Sequence, residues 1–350
     1  MRQPPEFLFV DINQHCNLKC KHCMYWTRKE VALPGHISVA RRGEIIREFA
    51  QLNSRGTVVI CGGESLLNPE RYFPVTRQCQ ALGLRCFSVI NGTKVTDEAT
   101  AEQMILEGPS EITVSLNSHR PEVHDQTRGQ VGSYDLAVGA IRLLLAARDR
   151  LGVRKPVYAM AVVCRQNYRE LDAFYRFVLQ DLKADKLKLN FLQPTFGPVN
   201  WAADDRFYRD NIITDCEELV GILGACDRKY GLKLNPEWIR VVRGYHQSVQ
   251  VNDDALQGWR GKGTQEAICN SYERNIMVDL CGEARLCFSN GFPGMQLKRT
   301  GHLAKFWFGS DRLRRKMAQC RQYCGISHSV RRISATLRPP AASAGETRAA

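Results

Sequence analysis

The 350-residue sequence contains no uninterrupted apolar run close to the roughly 20 residues that a membrane-spanning helix needs. Its first residues, Met1 to Glu6, include two prolines and lack the apolar stretch and small-residue cleavage site of a secretory signal peptide. These two absences argue against a membrane or secreted protein and predict a cytoplasmic one. Thiols stay reduced in that compartment, so the 14 cysteines are expected to be metal ligands, catalytic groups or core residues rather than disulfides.

Acidic residues are fewer than basic ones, since the sequence has 36 Asp and Glu and 49 Lys and Arg, which gives a net charge of +13. Most of the excess lies between Lys298 and Arg338, where eleven basic residues accompany one acid, Asp311. A solvated basic surface is the simplest interpretation of this excess. Contact with phosphates or with a carboxylated ligand is the alternative.

Short apolar segments alternate with segments of helical periodicity along the first 192 residues. The predicted strands are 7–12, 57–61, 85–90, 111–116, 157–163 and 186–192. The predicted helices between them are 39–52, 72–82, 97–106, 134–151 and 169–179. This alternation predicts an α/β fold of parallel βαβ units, either a barrel or an open sheet. Six units are fewer than the eight of a full TIM barrel.

The alternation weakens after residue 200, and the rest of the chain differs in composition from the core predicted over residues 1–200. A helix predicted over 215–230 belongs to a helical connection over residues 201–268. Residues 269–326 hold five cysteines among short elements, which predicts a small metal-stabilised module. Residues 327–350 are rich in Ser, Arg, Pro and Ala and are predicted to form a disordered basic tail.

Three cysteines, Cys16, Cys20 and Cys23, lie within eight residues directly after the first predicted strand. Three thiolates at this spacing suit a loop around one face of an iron–sulfur cube. Such clusters normally take four protein ligands, so three would leave one iron open to another ligand. A zinc site completed by His15 or His22, or unrelated core cysteines, are the alternatives, although zinc sites more often combine two C-x2-C pairs.

The spacing C-x3-C-x2-C, with the run Cys-Asn-Leu-Lys-Cys, resembles the signature of the radical S-adenosylmethionine (SAM) superfamily. The resemblance covers roughly residues 5–195 and implies a partial (β/α)6 barrel with a [4Fe–4S] cluster on the three cysteines. It also implies an enzyme in which the open iron binds the amino and carboxylate groups of SAM. Reduction would then split SAM into methionine and a 5′-deoxyadenosyl radical, while the protein supplies position and excludes water.

The same resemblance implies which residues contact SAM. His22 would pack on the adenine, Ser115 would meet the ribose, and Arg128 would contact the carboxylate. The Gly-Gly-Glu turn after the second strand would bind the amino group, because glycines let the backbone come close to a ligand. The complete set of expected SAM contacts is His22, Gly62, Gly63, Glu64, Asn91, Ser115, Arg128 and Gln193. Asn167, after the fifth strand, is expected to contact SAM or the substrate.

The second group of cysteines resembles the C-x(9–15)-G-x4-C opening of the twitch and SPASM extensions of radical SAM enzymes. The pattern runs from Cys269 through Gly282 to Cys287. The resemblance implies an auxiliary [4Fe–4S] cluster, and so two clusters in the chain. Its expected ligands are Cys269, Cys287, Cys320 and Cys324, with Cys281 as a possible substitute. A structural zinc on four of these five cysteines is the alternative.

The resemblance implies abstraction of a hydrogen atom from a substrate. The predicted barrel begins near residue 7, without the recognition domain that precedes it in many peptide enzymes. We therefore expect a carbohydrate or nucleoside substrate, with dehydrogenation, decarboxylation or epimerisation in antibiotic biosynthesis by an oxidoreductase or lyase. The alternative is a peptide or protein maturase of the RiPP or sulfatase-maturase type. A zinc-containing nucleic-acid-binding protein is a remote alternative.

The implied partner is an electron donor such as flavodoxin or ferredoxin, because the cleavage of SAM consumes one electron. Neither a membrane nor a nucleic acid is an expected partner.

Overall fold

The structure is a computed structural model that describes residues 2–23, 25, 35–192, 206–250, 271–287 and 292–319. Four of the expected site residues lie outside them, namely Gln193, Cys269, Cys320 and Cys324. The tail expected over residues 327–350 also lies outside the described residues.

Six parallel strands form the main part of the sheet. They are β1 (Phe7–Asn13), β2 (Thr57–Gly62), β3 (Arg85–Ile90), β4 (Glu111–Ser115), β5 (Val157–Val163) and β6 (Lys186–Phe191). Each strand pairs in parallel with the next one along the chain. The prediction of parallel βαβ units is therefore confirmed, with strand ends within one residue of those expected. The described sheet is open, as in a partial barrel.

Helices connect the successive strands of this α/β region. They are α1 (Val39–Leu52), α2 (Pro69–Ala81), α3 (Glu98–Glu107), α4 (Pro121–Arg128), α5 (Ser133–Leu151) and α6 (Leu171–Arg176). The helix expected over 169–179 is divided into a 3₁₀ turn, α6 and a π-helical turn at Phe177–Asp181. The short helix α4 was not predicted, because its composition is polar and a proline begins it.

Local chemistry explains where these helices begin. The Ser38 hydroxyl accepts the Arg41 N–H ahead of α1, and the Asp97 carboxylate accepts the Thr100 N–H ahead of α3. Strand β5 shows why the helices pack where they do, because its residues alternate between a buried face and a half-buried face. The buried residues of β5 are Val157, Ala159, Ala161 and Val163. They join the apolar core, and Val162 on the opposite face lines a cavity at the end of the strand.

The later chain adds three helices and then returns to the sheet. The helices are α7 (Arg206–Asn211), α8 (Cys216–Tyr230) and α9 (Pro236–Gln250). A short helix, α10 (Ser271–Arg274), precedes β7 (Asn275–Val278), which pairs in parallel with β1. Strands β8 (Glu283–Arg285) and β9 (Met295–Gln296) continue the sheet antiparallel. The sheet therefore runs without interruption from the expected core into the segment expected as a separate module.

Two helices follow this extension, α11 (His302–Gly309) and α12 (Asp311–Met317). The Glu48 carboxylate, near the end of α1, accepts the Gly301 N–H at 3.0 Å and so fastens α11 to the core. Within the described part of the chain, no helix combines the length and apolarity needed to cross a membrane.

We predict that Trp307 of α11 is a main anchor of the C-terminal segment. Its ring is fully buried, its indole N–H donates to the Gln3 carbonyl oxygen at 2.9 Å, and the Arg314 guanidinium lies 4.4 Å from the ring centroid. Trp307→Ala should lower the free energy of unfolding by about 3–5 kcal/mol in a denaturant titration. The control is Phe308→Ala, because the neighbouring Phe308 is 46% exposed and should cost far less. Equal stabilities of the two variants would contradict this role.

Candidate functional site

A cavity of about 230 Å³ lies at the carboxyl ends of all six parallel strands. The cysteines Cys16, Cys20 and Cys23 line it. Seven of the residues expected to contact SAM line it as well, namely His22, Gly62, Gly63, Glu64, Asn91, Ser115 and Arg128. The structure thus brings together residues that are up to 112 positions apart in the chain, as from Cys16 to Arg128. Their roles toward SAM stay predictions.

Further residues of the cavity wall were not identified from the sequence. They are Tyr25, Val89, Ile90, Val162, Asn190, Phe191 and Leu192. Most of them are apolar and lie at or near the ends of β3, β5 and β6, where a buried strand residue and a cavity residue look alike in sequence. Asn190 is the polar exception, and its position one residue before the end of β6 was the only available signal.

Asn167 does not line the cavity. It is 2% exposed, and its side chain is hydrogen-bonded to backbone groups of Cys164, Asn117 and Val162. The expected contact with SAM or substrate is therefore not supported, because these three bonds use the amide to join the ends of β4 and β5.

The two glycines of the Gly-Gly-Glu turn are required by the neighbouring backbone. Gly62 has φ +125°, and a Cβ at this position would lie 1.9 Å from the Asn13 carbonyl oxygen. A Cβ at Gly63 would lie 1.9 Å from the His15 carbonyl oxygen. The expected contact of these glycines with SAM stays a prediction, and the close approach of the end of β1 is a second reason for glycine at both positions.

Hydrogen bonds complete this close approach. The Gly63 N–H donates to the Asn13 carbonyl oxygen at 2.7 Å, and the Glu64 N–H donates to the His15 carbonyl oxygen at 2.6 Å. The cysteine loop therefore begins as an extension of the β1–β2 pairing, so the sheet itself sets the position of Cys16 beside Gly63 and Glu64.

The Glu64 carboxylate is 98% buried and already accepts two backbone N–H groups. Leu66 donates to Oε1 at 3.1 Å, and Asn91 donates to Oε2 at 2.7 Å. Burial raises the pKa of this carboxyl, while the two N–H bonds act in the opposite direction. The side chain therefore joins the β2 turn to the end of β3, in addition to any contact it makes with SAM.

The Asn91 side chain connects the same region to the cysteine loop. Its amide donates to Asn17 Oδ1 at 2.9 Å, and the Asn17 amide donates to the Thr93 hydroxyl at 2.8 Å. Asn91 Oδ1 accepts from both the backbone and the hydroxyl of Thr93. Asn17, the asparagine of the Cys-Asn-Leu-Lys-Cys run, thus holds the cysteine loop against the segment that follows β3.

Helix α4 supports the other side of the cysteine loop. The Lys21 N–H donates to the Thr127 carbonyl oxygen at 3.0 Å. Gly129 caps the end of the helix, with a φ of +69°, and a Cβ at this position would lie 2.1 Å from the Lys19 carbonyl oxygen. This contact brings Arg128, the last residue of α4, to the wall of the cavity.

Arg128 is 7% exposed, and its Nε is buried without a hydrogen-bond partner. Among the described residues, no carboxylate lies within ion-pair distance of its guanidinium, and the Glu64 carboxylate of the same cavity interacts with it only at longer range. A buried guanidinium without an anion is costly, so this wall of the cavity is suited to receive a carboxylate or another anionic group.

Two histidines near Arg128 are held in the neutral form. Burial, reinforced by the positive charge of Arg128, lowers the pKa of His22 to about 3. The same two causes lower the pKa of His124 to about 3. The Nδ1 atom of His124 accepts the Asn117 N–H at 3.1 Å, so this histidine supports the end of β4. Arg128 therefore carries its positive charge beside neutral rings.

The three cysteines line one cavity, as the ligands of a single [4Fe–4S] cluster must. Each cubane iron takes one thiolate, so three thiols must face one cavity without converging on one point. In the ranges that the structure describes, no group of three ligating side chains converges as a single metal ion would require. Burial raises the pKa of the Cys16 thiol to about 11, opposed by a hydrogen bond from the Leu18 backbone. Iron must therefore displace the proton of this thiol when it binds.

Of the second cysteine group, the structure describes Cys281 and Cys287. Both are partly exposed, in or just after the β7–β8 hairpin. Gly282 has φ +79°, and a Cβ there would lie 2.7 Å from the Ile37 side chain. This glycine therefore allows the hairpin to pack against Ile37, which lies just before α1. The auxiliary cluster stays a prediction, because the other three cysteines lie outside the described residues.

The sequence over residues 10–178 matches the family model of the radical SAM superfamily. The chain contains a radical SAM domain. Members of this superfamily are enzymes that use a [4Fe–4S] cluster and SAM, and the cavity of this radical SAM domain contains the cysteines of the expected spacing.

Three relatives illustrate the similarity. The AdoMet-dependent heme synthase of Methanosarcina barkeri is 26% identical over 195 residues, which are 56% of this chain and 53% of the relative. The subtilosin biosynthesis protein AlbA of Bacillus subtilis is 29% identical over 250 residues, or 66% and 51% of the two chains. SuiB of Streptococcus suis, solved with S-adenosylmethionine, superimposes with a TM-score of 0.59 at 15% identity, covering 91% of this chain and 66% of SuiB.

These similarities have different weights. The chain spans between 34% and 53% of the length of the curated relatives it matches. At 15% identity, the likeness to SuiB shows the fold alone. The radical SAM domain is therefore established, whereas the substrate of this chain is a matter for proposal.

The glycine contacts lead to a prediction. Gly63→Ala should lower the free energy of unfolding by at least about 2 kcal/mol, because the new Cβ would collide with the His15 carbonyl oxygen. The variant should also bind less iron after anaerobic reconstitution, measured as iron per chain. Gly139→Ala is the control, since this α5 glycine has open space around it and should gain about 0.5–1 kcal/mol. A Gly63 variant with normal iron content and stability would refute the contact.

Proposed function

We propose that this radical SAM domain cleaves SAM reductively and uses the resulting radical to abstract a hydrogen atom from a substrate. The observation that carries the proposal is a single cavity whose wall contains three cysteines, a Gly-Gly-Glu turn and an unpaired, buried arginine. Cys16, Cys20 and Cys23 would hold a [4Fe–4S] cluster, which together with SAM supplies a 5′-deoxyadenosyl radical.

The residues of the chain contribute binding and orientation. Arg128 would hold the carboxylate of SAM, since it lines the cavity and, among the described residues, its Nε has no hydrogen-bond partner and its guanidinium has no carboxylate within ion-pair distance. The neutral ring of His22 would pack on the adenine, and Ser115 at the end of β4 would meet the ribose. The apolar residues at the ends of β5 and β6 would restrict water around the reacting atoms.

The reaction requires one electron, which an external donor such as reduced flavodoxin or ferredoxin would supply. An auxiliary [4Fe–4S] cluster on the second cysteine group would then accept the electron from the substrate radical or tune the reduction potential of the site. Three of the cysteines that would hold this cluster lie outside the described residues. Iron analysis tests directly whether the cluster forms.

For the substrate, the similarity to the subtilosin biosynthesis protein supports a peptide. That similarity extends over 250 residues, compared with 195 for the haem synthase of Methanosarcina barkeri. The carbohydrate or nucleoside substrate expected from the sequence stays a prediction, as do its dehydrogenation, decarboxylation and epimerisation outcomes. The curated relatives reported above do not include an enzyme named for carbohydrate chemistry.

The experiment that tests the function uses the full chain after anaerobic reconstitution with iron and sulfide. About eight irons per chain are expected if two cubanes form, and about four if only one forms. With SAM and a reductant, the protein should release 5′-deoxyadenosine. The variant with alanine at Cys16, Cys20 and Cys23 should lose about four irons and this release.

The contrary outcome is 5′-deoxyadenosine release by the triple-alanine variant, which would show that these cysteines do not hold the SAM-cleaving cluster. The substrate is tested separately with deuterated candidates. Transfer of deuterium into 5′-deoxyadenosine from a peptide, but not from a sugar or nucleoside, would support the peptide class, and the reverse result would support the carbohydrate class.

Arg128 provides a second test of SAM binding. Arg128→Met should raise the dissociation constant for SAM about 10- to 100-fold, because the carboxylate would lose a charged hydrogen-bond donor in a buried site. The control is Arg120→Met, since Arg120 precedes the same helix but pairs with Glu170 on the surface. The measurement is equilibrium binding of SAM to the reconstituted protein. Equal SAM affinities of the two variants would show that Arg128 does not contact SAM.

A further inference from the structure

Asn13 is a buried amide at the end of β1 that lies behind the cavity wall. It is 2% exposed and is not part of the cavity lining. Strand β1 carries a register shift between Asp11 and Asn13, so Asn13 pairs with Gly62. This residue is therefore the last paired position of β1 before the chain departs toward the cysteines.

Among the described residues, all the hydrogen bonds of the Asn13 side chain go to backbone groups. Its Oδ1 accepts the His15 N–H at 2.9 Å. Its Nδ2 donates to the His15 carbonyl oxygen at 3.1 Å and to the Glu64 carbonyl oxygen at 2.7 Å. Only an amide satisfies this set, because one partner is a donor and the other two are acceptors.

The two segments that this amide joins are the two that form facing parts of the proposed SAM site. His15 immediately precedes Cys16, the first cluster cysteine, and Glu64 ends the Gly-Gly-Glu turn. Asn13 and Glu64 are 51 positions apart in the chain. The Asn13 side chain therefore reinforces the direct bond from the Glu64 N–H to the His15 carbonyl oxygen and fixes the position of the cluster loop relative to the turn.

We propose that Asn13 is a positioning residue that holds the cluster loop in register with the Gly-Gly-Glu turn, so that SAM can contact both at once. The inference rests on the proposed function and assigns a positioning role to a residue outside the cavity lining. Asn13 acts through the His15 and Glu64 backbone and does not contact SAM.

The structure offers a closely matched control in Asn167. This residue is also 2% exposed, and its Oδ1 likewise accepts one backbone N–H, that of Cys164. Its Nδ2 likewise donates to two carbonyl oxygens, those of Asn117 and Val162. Both asparagines thus make one accepted and two donated bonds at the same edge of the sheet, but Asn167 joins segments away from the cysteine loop.

The test compares Asn13→Asp and Asn167→Asp in the full, reconstituted chain. Aspartate keeps the size and the acceptor but replaces the donor, so it faces two carbonyl oxygens with negative charge. Both variants should melt at lower temperatures than the wild type. Only Asn13→Asp should raise the SAM dissociation constant, by about tenfold or more. Only this variant should also lose the change that SAM produces in the electron paramagnetic resonance spectrum of the reduced cluster.

Asn13→Ala and Asn167→Ala repeat the comparison without the added charge. The proposal is overturned if the Asn13 and Asn167 variants change SAM affinity and the cluster spectrum equally, or if neither changes them. It is also overturned if both Asn13 variants fail to fold while both Asn167 variants fold, because Asn13 would then be required for stability alone.

Failure of the proposed function gives a different result. In that case the wild-type chain itself would show neither SAM-dependent spectral change nor release of 5′-deoxyadenosine. A wild-type chain that cleaves SAM, together with Asn13 variants that cleave it equally well per cluster, would overturn only the role of Asn13.

Discussion

The contact between the end of β1 and the turn after β2 determines the geometry of the whole candidate site. Two backbone N–H groups from Gly63 and Glu64 donate to carbonyl oxygens at Asn13 and His15. The approach is so close that no side chain beyond hydrogen fits at Gly62 or Gly63. Because the cysteine loop starts at this contact, parallel pairing of two strands sets where the cluster ligands lie relative to the Gly-Gly-Glu turn.

Hydrogen bonds join the other segments around the cavity to this contact, and several of them come from polar side chains. The Glu64 carboxylate accepts backbone N–H groups and so connects the turn to the end of β3. The Asn91 and Asn17 amides connect β3 to the cysteine loop. Helix α4 closes the other side through the Lys21 N–H. Residues that look like ligands in the sequence therefore also hold the site together, and a loss of activity after mutation has two physical sources.

Electrostatics distinguishes Arg128 from the other polar residues of the cavity. The asparagines and Glu64 have hydrogen-bond partners within the protein, whereas the Arg128 Nε is buried without one. The nearby histidines are neutral because burial and the arginine charge lower their pKa. A buried cation without a directly paired carboxylate favours an anionic group beside it, which is the physical basis for proposing that Arg128 contacts the SAM carboxylate.

The sequence by itself determined the positions of the six strands along the chain, the parallel βαβ units and the cysteine spacing, because apolar periodicity and local ligand spacing are properties of short segments. It also identified the residues that follow strands, which a parallel sheet collects at one edge. Only the tertiary structure decided that Asn167 belongs to the scaffold, that the Gly-Gly-Glu glycines admit β1, and that β7 extends the sheet from β1. Each of these depends on contacts between segments far apart in the chain, which no local pattern encodes.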